Sequence, residues 1–136
     1  MLLLSEANLA VMVADSLDGF PLEACGLLIG RPGVDDAAQV VGCLPAHNAA
    51  ASARVYTVEP RDLLAADRQA DALGAELIGV YHSHTHTEGY PSPTDIGQAP
   101  DPSWHYVLVS LRDTEPTVRS YRIRDGRVEE EQVALE

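Results

Sequence analysis

Two histidines one residue apart are the first candidates for chemistry in this sequence. His82 and His84 close an apolar run at 77–81, and Asp95 follows eleven residues after His84. Because alternate residues of a strand point to the same face, the two imidazoles can converge on one point. Two imidazoles and a carboxylate are a ligand set of catalytic zinc, which keeps a fourth position open for water. The pattern indicates a zinc hydrolase.

The second half of this stretch also has a purely structural interpretation. Ser92 and Asp95 flank a proline at the first helical position, which is close to a capping box, where the serine caps the helix and the acid caps back. A carboxylate in the first turn can equally face a metal, so the two roles compete for Asp95. His86 could continue the histidine period, but we expect a turn at 87–89 and therefore expect His86 not to bind metal.

A hydrolytic zinc site also needs a general base, and a glutamate suits that task. Glu23 is the remaining candidate, although it lies about sixty residues before His82. An isolated glutamate near a proline is ordinarily solvated, and spacing alone does not bring it to the histidines.

The elements that must position these residues follow from periodicity and turn residues. A helix is predicted over 5–18 with Ser5 as its N-cap, and a second helix over 60–73 with Pro60 in its first turn. The buried face predicted for the first helix consists of Leu9, Met12, Val13 and Leu17. The face predicted for the second consists of Leu63, Ala66, Ala70 and Leu73.

Strands are predicted between the helices and after them. A hairpin is expected from 22–30 and 39–44, and a second hairpin from 118–123 and 127–133 around Asp125-Gly126. The remaining predicted segments are a short strand at 54–58, the strand from 76 that carries the histidines, a short helix from Ser92, and a buried strand at 106–110. The predicted fold class is α/β, a mixed β-sheet sandwiched by helices in a single domain of residues 1–136.

Composition narrows the function classes. The 136 residues carry a net charge of −12, and all nine basic residues are arginine. Nucleic-acid binders normally carry a basic patch, so that partner class is unfavoured. Cys25 and Cys43 do not form a disulfide framework, the first residues lack the basic region of a signal peptide, and no run is long enough to span a membrane. We expect a cytoplasmic protein with no membrane partner.

Glu23, the His-x-His pair at 82–84 and the Ser-x-x-Asp at 92–95 together resemble the JAMM (MPN-plus) metalloprotease signature, in its order and spacing. The resemblance implies the JAMM/MPN fold, of cytidine-deaminase-like type, and one Zn²⁺ per chain held by His82, His84 and Asp95. It implies that Glu23 is the general acid/base and that Ser92 steadies the oxyanion. Thr85 is a departure, since many members have proline there.

A wider set of segments resembles the actinobacterial members of this family that act on sulfur carriers. These segments are 23–26, 81–85, 90–92, 105–110 and 119–123. The resemblance implies hydrolysis of the amide between the C-terminal glycine of a ubiquitin-like sulfur-carrier protein and cysteine, with release of free cysteine for its biosynthesis. The partner implied is a small carrier with a Gly-Gly-type tail, which could add as a strand along 54–58 and the loop 85–90.

Two alternatives stay open at this point. One is a broader JAMM peptidase or isopeptidase acting on another ubiquitin-like modifier. The other is a non-catalytic MPN scaffold. The presence of every residue of the JAMM signature argues against this alternative.

Overall fold

The computed structural model describes residues 1–136 and consists of an eight-stranded sheet and three helices. In chain order the elements are β1 (Leu2–Leu4), α1 (Glu6–Gly19), β2 (Cys25–Pro32), β3 (Ala38–Ala46), α2 (Pro60–Ala72), β4 (Glu76–His84), α3 (Pro93–Gln98), β5 (His105–Ser110), β6 (Thr117–Arg124), β7 (Arg127–Glu131) and β8 (Val133–Leu135). The strand order is β7-β6-β5-β4-β2-β3-β1-β8. Strand β4 runs parallel to β5, and β1 runs parallel to β3 and β8, whereas the other pairs are antiparallel. The predicted mixed sheet is confirmed.

Helices cover both faces of the sheet, as the predicted sandwich requires. The core on one face includes Leu28, Tyr81 and Val107, and Leu9, Met12 and Val13 of α1 pack against it. On the other face Val80, Tyr106 and Ile123 pack with Ile96 of α3, and Ala66 and Ala70 bury the inner side of α2. Removing this apolar surface from water is the main stabilising contribution to the fold.

Local signals set the element ends. The Ser5 hydroxyl accepts a hydrogen bond from the Asn8 amide at 3.1 Å, so it caps α1 as predicted. The hairpin between β6 and β7 turns at Asp125 and Gly126, both with positive φ (52° and 76°), as a two-residue type I′ turn requires. No helix is both long and apolar enough to cross a bilayer.

The structure corrects four of the sequence predictions. On the face predicted for α2, Leu63 and Leu73 are 38% and 48% exposed, and only Ala66 and Ala70 are buried. Leu17 is 55% exposed, and the buried face of α1 instead includes Ser16, whose hydroxyl donates to the Met12 carbonyl at 2.7 Å. The strand predicted at 54–58 is wrong, because that segment is a loop with only an isolated bridge at Val58. The strand predicted at 127–133 is two, β7 and β8, separated at Gln132.

Strand β1 was not predicted at all. It consists of three residues between β3 and β8, with Leu2 and Leu4 fully buried. Three residues are too few to show a period, and only pairing with β3 and β8, both distant in sequence, makes this segment a strand.

Candidate metal centre and active site

Strand β4 delivers both histidines to one face of the sheet. Its register with β2 shifts between the Leu28–Gly79 and Ile29–Leu77 pairs, which leaves Ile78 as the extra residue of a bulge. Beyond the bulge the strand is regular, so alternate side chains share a face. The side chains of His82 and His84 are 2% and 5% exposed, and they emerge beside α3.

Helix α3 brings Asp95 to the same point. Asp95 Oδ2 lies 3.1 Å from His82 Nε2 and 3.0 Å from His84 Nε2. The same oxygen accepts the Ser92 amide at 2.9 Å, while the Asp95 amide donates to Ser92 Oγ at 3.1 Å, which completes a capping box. Capping and contact with the two histidines therefore do not compete, because one carboxylate oxygen of Asp95 does both.

The donor set of this cluster fits a metal ion. His82, His84 and Asp95 each offer one ligand atom, and these atoms all lie within 4.8 Å of one another. His84 Nδ1 lies 2.8 Å from the Glu88 carbonyl, to which it can only donate. A neutral His84 then presents a lone pair at Nε2 to a carboxylate oxygen. Two acceptors in contact require a cation or a proton between them, and two imidazoles with one carboxylate are a zinc ligand set.

The pKa shifts of Asp95 and His84 also favour a positive charge between these side chains. Burial disfavours a charged Asp95, but hydrogen bonds with His82 and His84 outweigh it and hold the pKa of the carboxyl well below its usual range. Burial also opposes protonation of His84, yet hydrogen bonds with Asp95 and Glu88 raise its pKa. Burial dominates at His82, whose pKa is lowered, so that imidazole stays neutral.

Tyr56 fixes the plane of the His82 ring. The two rings stack with centroids 4.2 Å apart and an interplanar angle of 22°. His82 Nδ1 is buried without a hydrogen-bond partner, so packing against Tyr56, rather than a second hydrogen bond, orients this imidazole.

Antiparallel pairing of β2 with β4 brings Glu23 to the site. Cys25 lies opposite His82, and the Ser83 amide and hydroxyl bond the backbone of Ala24 at 3.0 and 2.8 Å. Glu23 therefore lies beside the end of β4, across fifty-nine residues of sequence. The solvated glutamate expected by default is not what the structure contains, because Glu23 is only 3% exposed.

The carboxyl group of Glu23 is unpaired, and its pKa is raised. Its Oε1 is buried with no hydrogen-bond partner. Burial raises the pKa of Glu23 from 4.5 to about 7, with His84 opposing the rise and Asp95 adding to it. A carboxyl group with a pKa near neutrality can both take up and release a proton at cellular pH.

A cavity of about 560 Å³ opens beside Glu23. Its wall includes His84, Ser92, Thr85 and Arg54. Ser92 Oγ accepts the Asp95 amide through a lone pair, which leaves its O–H free to donate into the cavity. Thr85 donates from Oγ1 to the Ala53 carbonyl at 3.3 Å, so the threonine connects two parts of the cavity rim by a hydrogen bond.

His86 lies on the rim of this cavity and not in the cluster of His82, His84 and Asp95. It is exposed, it contacts Thr85 Oγ1 through Nδ1 at 3.0 Å, and its ring lies 5.6 Å from that of Phe20. The chain leaves the strand after His84, so the period that aligned the first two histidines does not continue.

Sequence reasoning missed the organisation of the loop 47–59. Asn48 holds it by donating from Nδ2 to the Glu23 and Val55 carbonyls, each at 3.0 Å, and by accepting the Thr57 amide at 3.0 Å. The loop has no hydrophobic period, and an asparagine that satisfies several backbone groups at long range carries no local signal. Through this loop Glu23 and Tyr56 are fixed relative to each other.

Comparison with known proteins places this geometry in a family. Residues 5–124 match the family described as prokaryotic homologs of the JAB domain. The chain is 42% identical over 123 residues to the CysO-cysteine peptidases of Mycobacterium bovis and Mycobacterium tuberculosis, covering 90% of this chain and 82% of theirs. It is 34% identical over 91 residues to the desampylase of Haloferax volcanii, covering 66% of this chain and 63% of that protein.

Solved structures agree with the sequence relatives. A protein of Desulfitobacterium hafniense superposes with a TM-score of 0.91 at 34% identity, covering 100% of this chain and 93% of that one. A protein of Salinibacter ruber gives a TM-score of 0.75 at 29% identity, covering 98% and 90%. The chain belongs to the family of prokaryotic JAB-domain homologs and is a hydrolase of the JAMM type.

Proposed function

We propose that this protein is a zinc-dependent peptidase that hydrolyses the amide between the C-terminal glycine of a ubiquitin-like sulfur-carrier protein and cysteine, and so releases free cysteine. The observation that carries the proposal is the buried, unpartnered carboxyl of Glu23 beside a His–His–Asp cluster. Such a carboxyl costs stability and is retained where it does chemistry. The identity to CysO-cysteine peptidases over 90% of the chain supports the substrate class.

His82, His84 and Asp95 would hold the zinc ion. When bound, the ion would supply Lewis-acid chemistry, activating water and polarising the scissile carbonyl. The residues around it keep the ligands in place: Tyr56 packs on one imidazole and the Glu88 carbonyl binds the other. Ser92 and its helix turn hold the carboxylate.

Glu23 moves the proton. Its carboxylate accepts a proton from the attacking water and delivers it to the leaving nitrogen, so that one group acts first as base and then as acid. The carbon–nitrogen bond breaks, the glycine carbonyl gains the hydroxyl, and the amine leaves with the proton. A pKa near 7 lets Glu23 perform both transfers without a large free-energy cost for either.

Ser92 stabilises the oxyanion. Because its oxygen already accepts the Asp95 amide, its hydroxyl proton is free to donate into the cavity that it lines with Glu23. A single preorganised donor of this kind typically contributes roughly 3–4 kcal/mol to the transition state.

The carrier would approach with its C-terminal Gly-Gly-type tail extended. The segment 54–58 and the loop 85–90 would form the rim over which this tail passes. The Arg54, Val55 and Thr57 amides already donate to side chains of the loop, so the tail would pair with the backbone of Tyr56, whose amide and carbonyl remain free. We further propose that residues 1–136 act as one domain and that the protein works in the cytoplasm, without membrane or nucleic-acid partners.

A second candidate function is a broader isopeptidase acting on another ubiquitin-like modifier, which the similarity to a desampylase favours. Two substrates separate the two functions: a sulfur carrier ending in glycyl-cysteine, and the same carrier joined through glycine to a lysine side chain. The first function predicts cleavage of the cysteine adduct with little or none of the lysine adduct. Preference for the lysine adduct would replace the first function with the second.

A further inference from the structure

Release of a single amino acid leaves a distinctive charge beside the scissile bond. In a carrier that ends in cysteine, the carboxylate is free and lies two bonds from the leaving nitrogen. In an isopeptide adduct the leaving nitrogen belongs to a lysine side chain and has no carboxylate nearby. An enzyme specialised for the first substrate can therefore use a cation to recognise it; this inference rests on the proposed function.

The cavity beside Glu23 contains one such cation. Of the nine arginines, Arg54 is the one that lines this cavity. Its guanidinium makes no ion pair and no hydrogen bond within the chain, although the chain carries 21 acidic residues. An arginine free of partners, facing the same space as Glu23 and Ser92, is available for an anionic ligand.

The backbone around Arg54 is held in place. Ser52 Oγ accepts the amides of Arg54 and Val55 at 3.0 and 3.3 Å. The preceding carbonyl, of Ala53, accepts the Thr85 hydroxyl at 3.3 Å. These bonds fix the backbone of Arg54 relative to the end of β4, so little backbone freedom is left to lose on binding, which lowers the entropic cost of binding.

Proton transfer fixes which part of the substrate enters this cavity. The leaving nitrogen must come within hydrogen-bond reach of Glu23 to receive its proton. Its carboxylate, two bonds away, then lies in the same cavity as Arg54. We propose that Arg54 binds the free α-carboxylate of the released amino acid and thereby selects substrates with a single residue beyond the carrier glycine.

The planar guanidinium suits this ligand, because it meets a carboxylate with two parallel hydrogen bonds. A charge-assisted pair at a partly solvated site corresponds to roughly tenfold to hundredfold in kcat/KM. The carboxylate contacts Arg54 equally before and during bond breaking, so the effect belongs mainly in KM.

The test compares two substrates that differ only in this charge: a carrier ending in glycyl-cysteine with a free carboxylate, and the same carrier ending in cysteine carboxamide. For the wild-type protein, kcat/KM for the acid should exceed that for the carboxamide roughly tenfold to hundredfold. Arg54→Gln should bring that ratio close to one, and Arg54→Lys should restore part of it. Arg68→Gln is the matched control, because it removes the same charge from the exposed side of α2, and it should keep the wild-type ratio.

The outcomes separate this inference from the function on which it rests. If the wild-type protein cleaves both substrates equally, the role of Arg54 is overturned while the peptidase function stands, whether or not the variants fold. An unchanged ratio in Arg54→Gln also overturns it. Cleavage of neither substrate by the wild-type protein would overturn the proposed function and this inference together.

Discussion

Replacing Glu23 with glutamine should stabilise the metal-free protein. In the zinc-loaded protein the same change should abolish most of the activity. Glu23 is 3% exposed, and its Oε1 has no hydrogen-bond partner, so burial disfavours its charged form more than the nearby His84 favours it. Burial raises its pKa from 4.5 to about 7, which means that the folded chain binds this proton more tightly than the unfolded chain. Below pH 4.5 the group is protonated in both states and costs nothing. Stability is then lost as pH rises from 4.5 to about 7 and stays lost above that.

The size of the effect follows from the same numbers. A rise from 4.5 to about 7 corresponds to about 3 kcal/mol above neutrality, and we expect about 1–3 kcal/mol because water in the adjoining cavity screens the charge. For a chain of this length that is roughly 3–10 °C in Tm. Loss of a general acid/base should slow catalysis roughly 10²- to 10⁴-fold.

Thermal or urea unfolding at pH 5 and pH 8, in the presence of a chelator, measures the first effect. Glu23→Gln should gain stability over the wild-type protein at pH 8 and little at pH 5. Glu88→Gln is the control, because it makes the same change on an exposed side chain of the neighbouring loop, and it should match the wild-type protein at both pH values. A Glu23→Gln protein that is no more stable than wild type at pH 8, or that keeps full activity, would refute the reasoning.

Three further predictions concern the ligands, the helix cap and a buried pair. Metal analysis should show that His84→Ala loses tightly bound zinc and that His86→Ala retains it. The opposite result would mean that His86, and not His84, is the zinc ligand. Ser92→Ala should cost about 1 kcal/mol in unfolding free energy through the lost cap and reduce kcat roughly 10²- to 10³-fold; an unchanged kcat would remove Ser92 from the reaction. Burial disfavours the charge of Glu131, but hydrogen bonds from His105 and Ser120 lower its pKa below 4.5. The wild-type protein should therefore lose this stability as pH falls below 4.5, and Glu131→Gln should lack that loss in acid unfolding.

The parts of the site that sequence could predict are those with a local period. Alternation along a strand was enough to place His82 and His84 on one face, and the Ser-x-x-Asp pattern predicted the capping box at Ser92 and Asp95, which the structure contains. Local reasoning could not show that the Asp95 carboxylate both caps α3 and contacts the histidines. That depends on how α3 packs on the sheet.

The other parts of the site depend on contacts between segments that are distant in sequence. Glu23 reaches the histidines only because β2 and β4 are neighbours in an antiparallel register, and no spacing along the chain contains that information; the family pattern substituted for it. The loop around Arg54 was wrongly predicted as a strand, because its order comes from hydrogen bonds to Asn48 and Thr85 rather than from backbone pairing. Leu17 was misassigned because an apolar residue next to a buried helix face is not always part of it.

The most direct test is mass spectrometry of a sulfur carrier with cysteine amide-linked to its C-terminal glycine, incubated with the wild-type protein with and without a chelator. We expect the carrier to lose the mass of one cysteine residue, free cysteine to appear in equal amount, and both changes to stop with chelator and resume when zinc is restored. A carrier whose mass is unchanged by the zinc-loaded protein, or cleavage that proceeds undiminished in chelator, would contradict the proposed metal-dependent release of cysteine.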